Sequence, residues 1–184
     1  GAPAAAGAAC AAAPLGALRE GLSLKDVPRT GWLRAGVEAP ESVAAHSWGV
    51  AFLASQLCPA SLDRERVLEM CVVHDLAEVR VGDITPDDGV PPEEKHRREA
   101  AALGAMGASP RTLELFAEYE AQETREARFV KLLDKLDMAL QSEHYEARAG
   151  GRQDLGKFRR AAGALAPEFG LEHLVPAEHR GPKA

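Results

Sequence analysis

Aromatic residues are scarce in this 184-residue chain, 5% in all, so a core has to be built largely from Leu, Val and Ala. That composition favours helices over sheets. There are only three cysteines, Cys10, Cys58 and Cys71. An odd number at irregular spacing excludes a disulfide framework and a zinc-finger pattern, and it fits a reducing, cytoplasmic compartment. Cys71 lies in an apolar run and reads as a small buried hydrophobe. No apolar run approaches the roughly 20 residues that a membrane span needs. An excess of positive charge is missing too. The formal net charge is −6, which excludes duplex nucleic acid as a main partner, because such binding needs a broad basic surface. A small anionic substrate needs only a few local cations and stays open. Residues 1–13 are almost all Ala and Gly, with no positive charge before Arg19. They lack the basic start of a secretory signal and the arginines of a transit peptide. We read them as a disordered tail and residues 14–184 as one domain.

What is present is a globular balance, 46% hydrophobic and 27% charged. The spacing predicts a short helix over residues 14–21 and a loop over residues 27–40 marked by Pro28, Gly31, Gly36 and Pro40. Ser42 is placed to cap a helix carrying Val43, Val50, Leu53 and Leu57 at helical spacing, and Pro59 ends it. A third helix is expected from near Asp63 to just before Gly82. A loop over residues 82–92 follows, then a charged helix from Pro92 through Leu103. Pro110 starts another helix. The longest runs from Thr124 to about Arg148. Two short helices broken by Pro167 and Pro176 complete an all-α, single-bundle chain with no repeat and no linker.

Chemistry concentrates in His74-Asp75-Leu76-Ala77-Glu78, directly after the apolar Met70-Cys71-Val72-Val73. Ionisable groups emerging from a buried helix are costly unless they are paired or bind metal. On one continuous helix His74 and Glu78 are four apart and Asp75 and Glu78 three apart, which puts them on one face. Imidazole and carboxylate together suit a divalent cation. A further His, His46, sits on the helix begun by Ser42. The apolar helix Phe129-Val130-Lys131-Leu132-Leu133-Asp134-Lys135-Leu136-Asp137-Met138 carries two aspartates three apart, with Val130, Asp134 and Asp137 on a shared face.

The order His…His-Asp…Asp in these surroundings resembles the HD-domain phosphohydrolases. The motifs Pro28-Arg29-Thr30-Gly31-Trp32, Pro40-Glu41-Ser42-Val43, His74-Asp75-Leu76-Ala77-Glu78, Val81-Gly82-Asp83-Ile84, Glu93-Glu94-Lys95-His96-Arg97-Arg98-Glu99 and Phe129-Val130-Lys131-Leu132-Leu133-Asp134 are similar to the 5′-deoxynucleotidase branch, which includes the eukaryotic HD domain-containing protein 2 group. The resemblance runs from about Leu24 to Glu146. It implies a helical bundle of the HD type that hydrolyses (deoxy)nucleoside 5′-monophosphates to nucleoside and phosphate. It assigns His46, His74, Asp75 and Asp134 as ligands of a divalent metal ion. Glu78 matches the carboxylate that orients or activates the attacking water. Asp83 matches the acid near the leaving-group oxygen, and Trp32 the aromatic that packs against sugar and base. A homodimer is also implied.

Between Asp75 and Asp134 the only histidine is His96. Dinuclear relatives carry more there, so the pattern resembles the mononuclear type. Whether the ion is Mn, Co, Mg, Zn, Fe or Ni is not legible. The bacterial branch has an arginine directly before the tryptophan, used in sugar discrimination. Here that position is Gly31, with Arg29 and Arg34 the nearest cations, which implies weaker selection of a deoxy sugar. Lys95 and Lys131 are the candidate phosphate contacts, while Arg97 and Arg98 can pair with Glu93, Glu94 and Glu99 on a solvated face. Two other readings carry different expectations. Removal of triphosphate or pyrophosphate would need more cations around the site, and a non-catalytic nucleotide-binding module would not require Glu78 or Asp83.

Overall fold

In the computed structural model the described residues are 13–149 and 155–177. The Ala/Gly-rich tail, apart from Ala13, and Cys10 lie outside them. The architecture is helical throughout: α1 (Leu15–Leu22), α2 (Thr30–Arg34), α3 (Val43–Leu57), α4 (Arg64–Val73), α5 (Glu78–Val81), α6 (Pro92–Met106), α7 (Pro110–Ala121), α8 (Arg125–Arg148) and α9 (Lys157–Leu165), with short 3₁₀ turns between. Among the described residues the one β feature is an isolated antiparallel bridge between Pro28 and Ser42. No helix of the described residues is long and apolar enough to cross a membrane.

The long helices start where side-chain oxygens meet otherwise unpaired backbone N–H groups. Ser42 accepts from Ala45 N at 3.2 Å, Asp63 from Arg66 N at 3.1 Å, Ser109 from Thr112 N at 3.1 Å and Thr124 from Ala127 N at 3.1 Å. Gly107, at φ 76°, ends α6 in the left-handed region that favours glycine.

The apolar faces of α3, α4, α7 and α8 close on one another. Val50 and Ala54, Val67, Met70 and Cys71, Leu115 and Tyr119, and Phe129, Val130, Leu133 and Leu136 form the main core. Cys71 is fully buried there, and burial pushes its thiol up to about 12. A smaller cluster of Ala17, Ala77, Leu103, Met106 and Phe116 joins α1 and α6 to the body. A third, Trp32, Val37, Tyr145, Leu155 and Phe158, fastens α2 and α9 against the far end of α8.

Two elements differ from the sequence expectation. The segment read as a loop over residues 27–40 contains α2, a five-residue helix. It is too short to show periodicity or to hold itself together. Trp32 in the third cluster anchors it, and backbone bonds Arg29 N to Glu41 O and Val43 N to Val27 O pin its flanks. The helix expected from Asp63 to Gly82 does not run through. It ends at Val73, and the chain then tightens into i→i+3 turns, Leu76 N to Val73 O and Glu78 N to Asp75 O, before α5 begins at Glu78. With three residues per turn, side chains three apart eclipse. Asp75 and Glu78 are therefore brought to one side more closely than in a continuous α-helix.

Candidate metal and phosphate site

His46 is fully buried on α3, within its second turn, and His74 is 2% exposed at the C-terminal cap of α4. Their rings lie 5.7 Å apart at 63°. His46 Nδ1 is 2.7 Å from Asp137 Oδ2, and His74 Nδ1 is 2.9 Å from the carbonyl of Cys71. Both partners accept only, so each Nδ1 carries the proton and each Nε2 faces inward. Both Nε2 atoms are buried and have no hydrogen-bond partner. Asp75 Oδ2 stands 3.3 Å from His74 Nε2 and 3.7 Å from His46 Nε2. Asp134 Oδ1 comes to 3.4 Å from His46 Nε2. The second oxygen of Asp134 is taken by Tyr119 Oη at 3.1 Å and Lys135 Nζ at 3.1 Å. That arrangement turns Oδ1 toward the imidazoles.

The electrostatics follow from the crowding. Burial disfavours ionised Asp75, but His74, Arg29 and His46 outweigh it and hold the carboxyl well below its usual range. Asp134 is likewise held down against burial, by Lys135, His46 and Lys131. Burial and Arg29 oppose charge on His46, yet Asp134 and Asp137 raise its pKa to about 9, so a cation binding at Nε2 would take the place of a second proton while the Nδ1 proton stays. Glu78 goes the other way. It is 3% exposed, its Oε2 has no partner, and burial followed by Asp75 and Asp83 pushes its carboxyl well above the usual range.

Two inward, unpartnered imidazole nitrogens facing two carboxylate oxygens form a donor set that fits a divalent cation. The partner on each Nδ1 is the orientation that ligating histidines require. His46, His74 and Asp75 present ligand atoms all within 4.8 Å of one another. These residues can hold an ion, and Glu78 is a nearby group able to accept or return a proton.

The structure places the remaining candidates unequally. Arg29 is 7% exposed and reaches Asp75 Oδ2 at 3.5 Å and Asp83 Oδ1 at 3.2 Å. Against burial, those two carboxylates raise its pKa. It is a fixed counter-charge, with neither the reach nor the freedom assumed for a sugar contact. Asp83 accepts from Arg29 on one oxygen and from Thr30 N, at 2.7 Å, on the other. Trp32 is 1% exposed. It packs on Tyr145 and Phe158 and donates Nε1–H to Glu41 Oε1 at 2.9 Å, so it offers no open face to a base. Arg34 points away to Thr85 Oγ1 and Asp88 Oδ1, each at 2.5 Å. A Cβ added at Gly31 would meet Phe158 at 3.6 Å, so the side-chain direction there is toward α9. The missing arginine therefore opens no room beside the imidazoles, and the expected loosening of sugar selection loses its geometric basis. Lys95 is bound to Glu99 at 2.6 Å, in the field of Asp75 and Glu78. Lys131 lies 3.2 Å from Tyr119 Oη and 3.7 Å from Asp134 Oδ2.

Three further residues belong to the arrangement. Tyr119 lies on the inner face of α7, and its hydroxyl holds Asp134. Glu41 joins His46 and Asp137 in a second cluster of ligand-type atoms. Asp137 could be flagged by its place three residues after Asp134 on an otherwise apolar helix, but nothing in the spacing gives its contact with His46.

A family model described as HD domain matches residues 22–164. The 5′-deoxynucleotidase hdd1 of Schizosaccharomyces pombe is 44% identical over 145 residues, covering 73% of this chain and 73% of that protein. The 5′-deoxynucleotidase HDDC2 of Mus musculus is 46% identical over 129 residues, covering 67% of this chain and 65% of that protein, so the match spans just under two thirds of the mouse protein's length. Among solved structures, a conserved hypothetical protein from Pyrococcus furiosus matches with a TM-score of 0.74 at 34% identity, over 88% of this chain and 98% of that one.

Proposed function

The chain belongs to the HD-domain family, and on that premise we propose that it is a metal-dependent 5′-nucleotidase that hydrolyses deoxynucleoside 5′-monophosphates to nucleoside and phosphate. The observation that carries the reading is the pair of buried, unpartnered Nε2 atoms of His46 and His74 facing Asp75 and Asp134. The names of the relatives supply the substrate class. We propose residues 14–184 as the catalytic unit, working as a homodimer.

His46, His74, Asp75 and Asp134 hold one divalent cation in this reading. When bound, the ion supplies Lewis-acid activation of water and neutralises charge on the phosphoryl oxygens. Glu78 aligns the water and, as a carboxylate, takes its proton. Arg29 keeps Asp75 ionised and oriented. Asp83 is the poorer proton donor of the two acids, because both its oxygens already accept hydrogen bonds; it fixes the start of α2 and the Arg29 guanidinium. Lys95 and Lys131 are the cations left to meet the phosphate, after shifting from Glu99 and Tyr119. Most of the catalysis is positioning and charge stabilisation, which side chains set on packed helices supply.

The test is phosphate release by EDTA-treated protein from nucleoside mono-, di- and triphosphates, deoxy and ribo, with single divalent metals added back. Metal-dependent release from deoxynucleoside monophosphates supports the reading. Release of pyrophosphate or triphosphate instead, or nucleotide binding without release, refutes it.

A further inference from the structure

We infer that Asp137, seated in a notch left by Gly49, is a positioning residue that holds His46 with Nε2 directed at the cation. The inference rests on the proposed metal site and adds two residues to it.

The observations are geometric. His46 is fully buried and Asp137 Oδ2 lies 2.7 Å from its Nδ1. A carboxylate can only accept, so this contact fixes the proton on Nδ1, sets the plane of the ring and leaves the Nε2 lone pair inward. His46 stands on α3 and Asp137 on α8, so the contact ties two helices of the main core across the site. Gly49 lies three residues after His46, on the adjoining turn of α3. A Cβ built there would collide with Asp137 Oδ1 and stand 3.0 Å from its Cγ. Glycine is a poor helix former, yet at this position any side chain would occupy the space that the carboxylate fills. The notch also explains how the short Asp137 side chain reaches His46 while its helix packs closely against α3. Glu41 borders the same carboxylate, and its own carboxyl is pushed up by burial and then by Asp137. A partner on the outer nitrogen of a ligating imidazole raises the ligand's basicity and removes its rotational freedom. Losing such a partner typically weakens metal binding by about 10–100-fold.

The steric and hydrogen-bond parts are separable. Gly49→Ala should act only by expelling the Asp137 carboxylate. In Asp137→Ala protein that carboxylate is gone, the notch is empty, and Gly49→Ala should cost nothing further. The experiment is a Co²⁺ titration of the EDTA-treated 184-residue protein followed by visible absorption, which reports affinity and ligand geometry together without turnover. Wild type, Asp137→Ala, Asp137→Asn, Gly49→Ala and the Gly49→Ala/Asp137→Ala double variant are compared, with melting curves to show that each is folded. The expected result is a loss of about 10–100-fold in Co²⁺ affinity for Asp137→Ala and for Gly49→Ala. Asp137→Asn, which keeps an acceptor oxygen for Nδ1–H, falls between, and the double variant matches Asp137→Ala. If Gly49→Ala alone does not fold, the double variant and Asp137→Ala still decide. Co²⁺ affinity within about twofold of wild type in Asp137→Ala, well short of the loss expected for such a partner, overturns the inference. So does an undiminished effect of Gly49→Ala in the Asp137→Ala background. Absence of Co²⁺ binding by wild type overturns the metal site itself, and is thereby distinguished from failure of the positioning role.

Discussion

His46, His74 and Asp134 stand on α3, α4 and α8, helices whose inner faces make the main core. Arg29, Arg34, Asp83 and Asp88 stand on short segments that meet one another through charge, Arg29 with Asp83 at 3.2 Å and Arg34 with Asp88 at 2.5 Å. The first region is held by apolar burial, the second by the packing of Trp32, one buried pair at Arg29 and one exposed pair at Arg34. Close packing keeps ligand atoms in place with little freedom, whereas exposed pairs hold a loop weakly and yield to salt. The proposed cage is therefore the more tightly fixed of the two, and the exposed Arg34–Asp88 pair is the weakest tie between α2 and the segment after Gly82. Arg29 joins the two, because one guanidinium contacts both Asp75 and Asp83.

The largest effects should fall on the cage. His74→Ala and Asp75→Ala are each expected to lose bound divalent metal and bring phosphate release to background. Elemental analysis and a phosphate assay check this, and full metal content in both variants would break the division between cage and rim. Glu78→Ala should keep the metal and lose about 10²–10⁴ in turnover, since it removes the proton-exchanging group and no ligand. Single-turnover phosphate release with metal content measured in parallel separates the two outcomes. Arg29→Met tests the junction. It leaves Asp75 and Asp83 without their shared counter-charge, and breaking such a buried pair typically costs about 3–5 kcal/mol. Urea unfolding of EDTA-treated protein reads that loss. Arg34→Ala removes an exposed pair, for which about 1 kcal/mol or less is expected, and the same unfolding measurement should barely register it.

The residues proposed to form the cage stood out in the sequence for a physical reason. Apolar periodicity located α3, α4 and α8, and charged residues inside such runs stand out because burial makes them costly. Ser42, Asp63, Pro110 and Thr124 marked helix starts; the cap expected at Ser42 forms, and Asp63 and Thr124 cap their helices as well. The rim was read poorly because its order comes from distant contacts. The α2 helix exists through Trp32 packing on Tyr145 and Phe158, more than a hundred residues away. The same contact turns a tryptophan expected to face the sugar and base into a core residue. Arg29, taken as a free cation, is committed to carboxylates 46 and 54 residues away. The break after Val73 was hidden because His74 to Val81 contains no glycine or proline, so the tightening leaves no mark in composition.

The central claim is that buried donors on separate helices converge on one divalent cation. Asp134 tests it most directly, because it lies 59 positions beyond Asp75 in the sequence and reaches His46 only through the fold. Mn²⁺ titration of EDTA-treated protein, followed by electron paramagnetic resonance of the free ion, should give one tight site per chain in wild type and none in Asp134→Asn. Retention of a full tight site in Asp134→Asn, or two equivalent sites in wild type, would contradict the account.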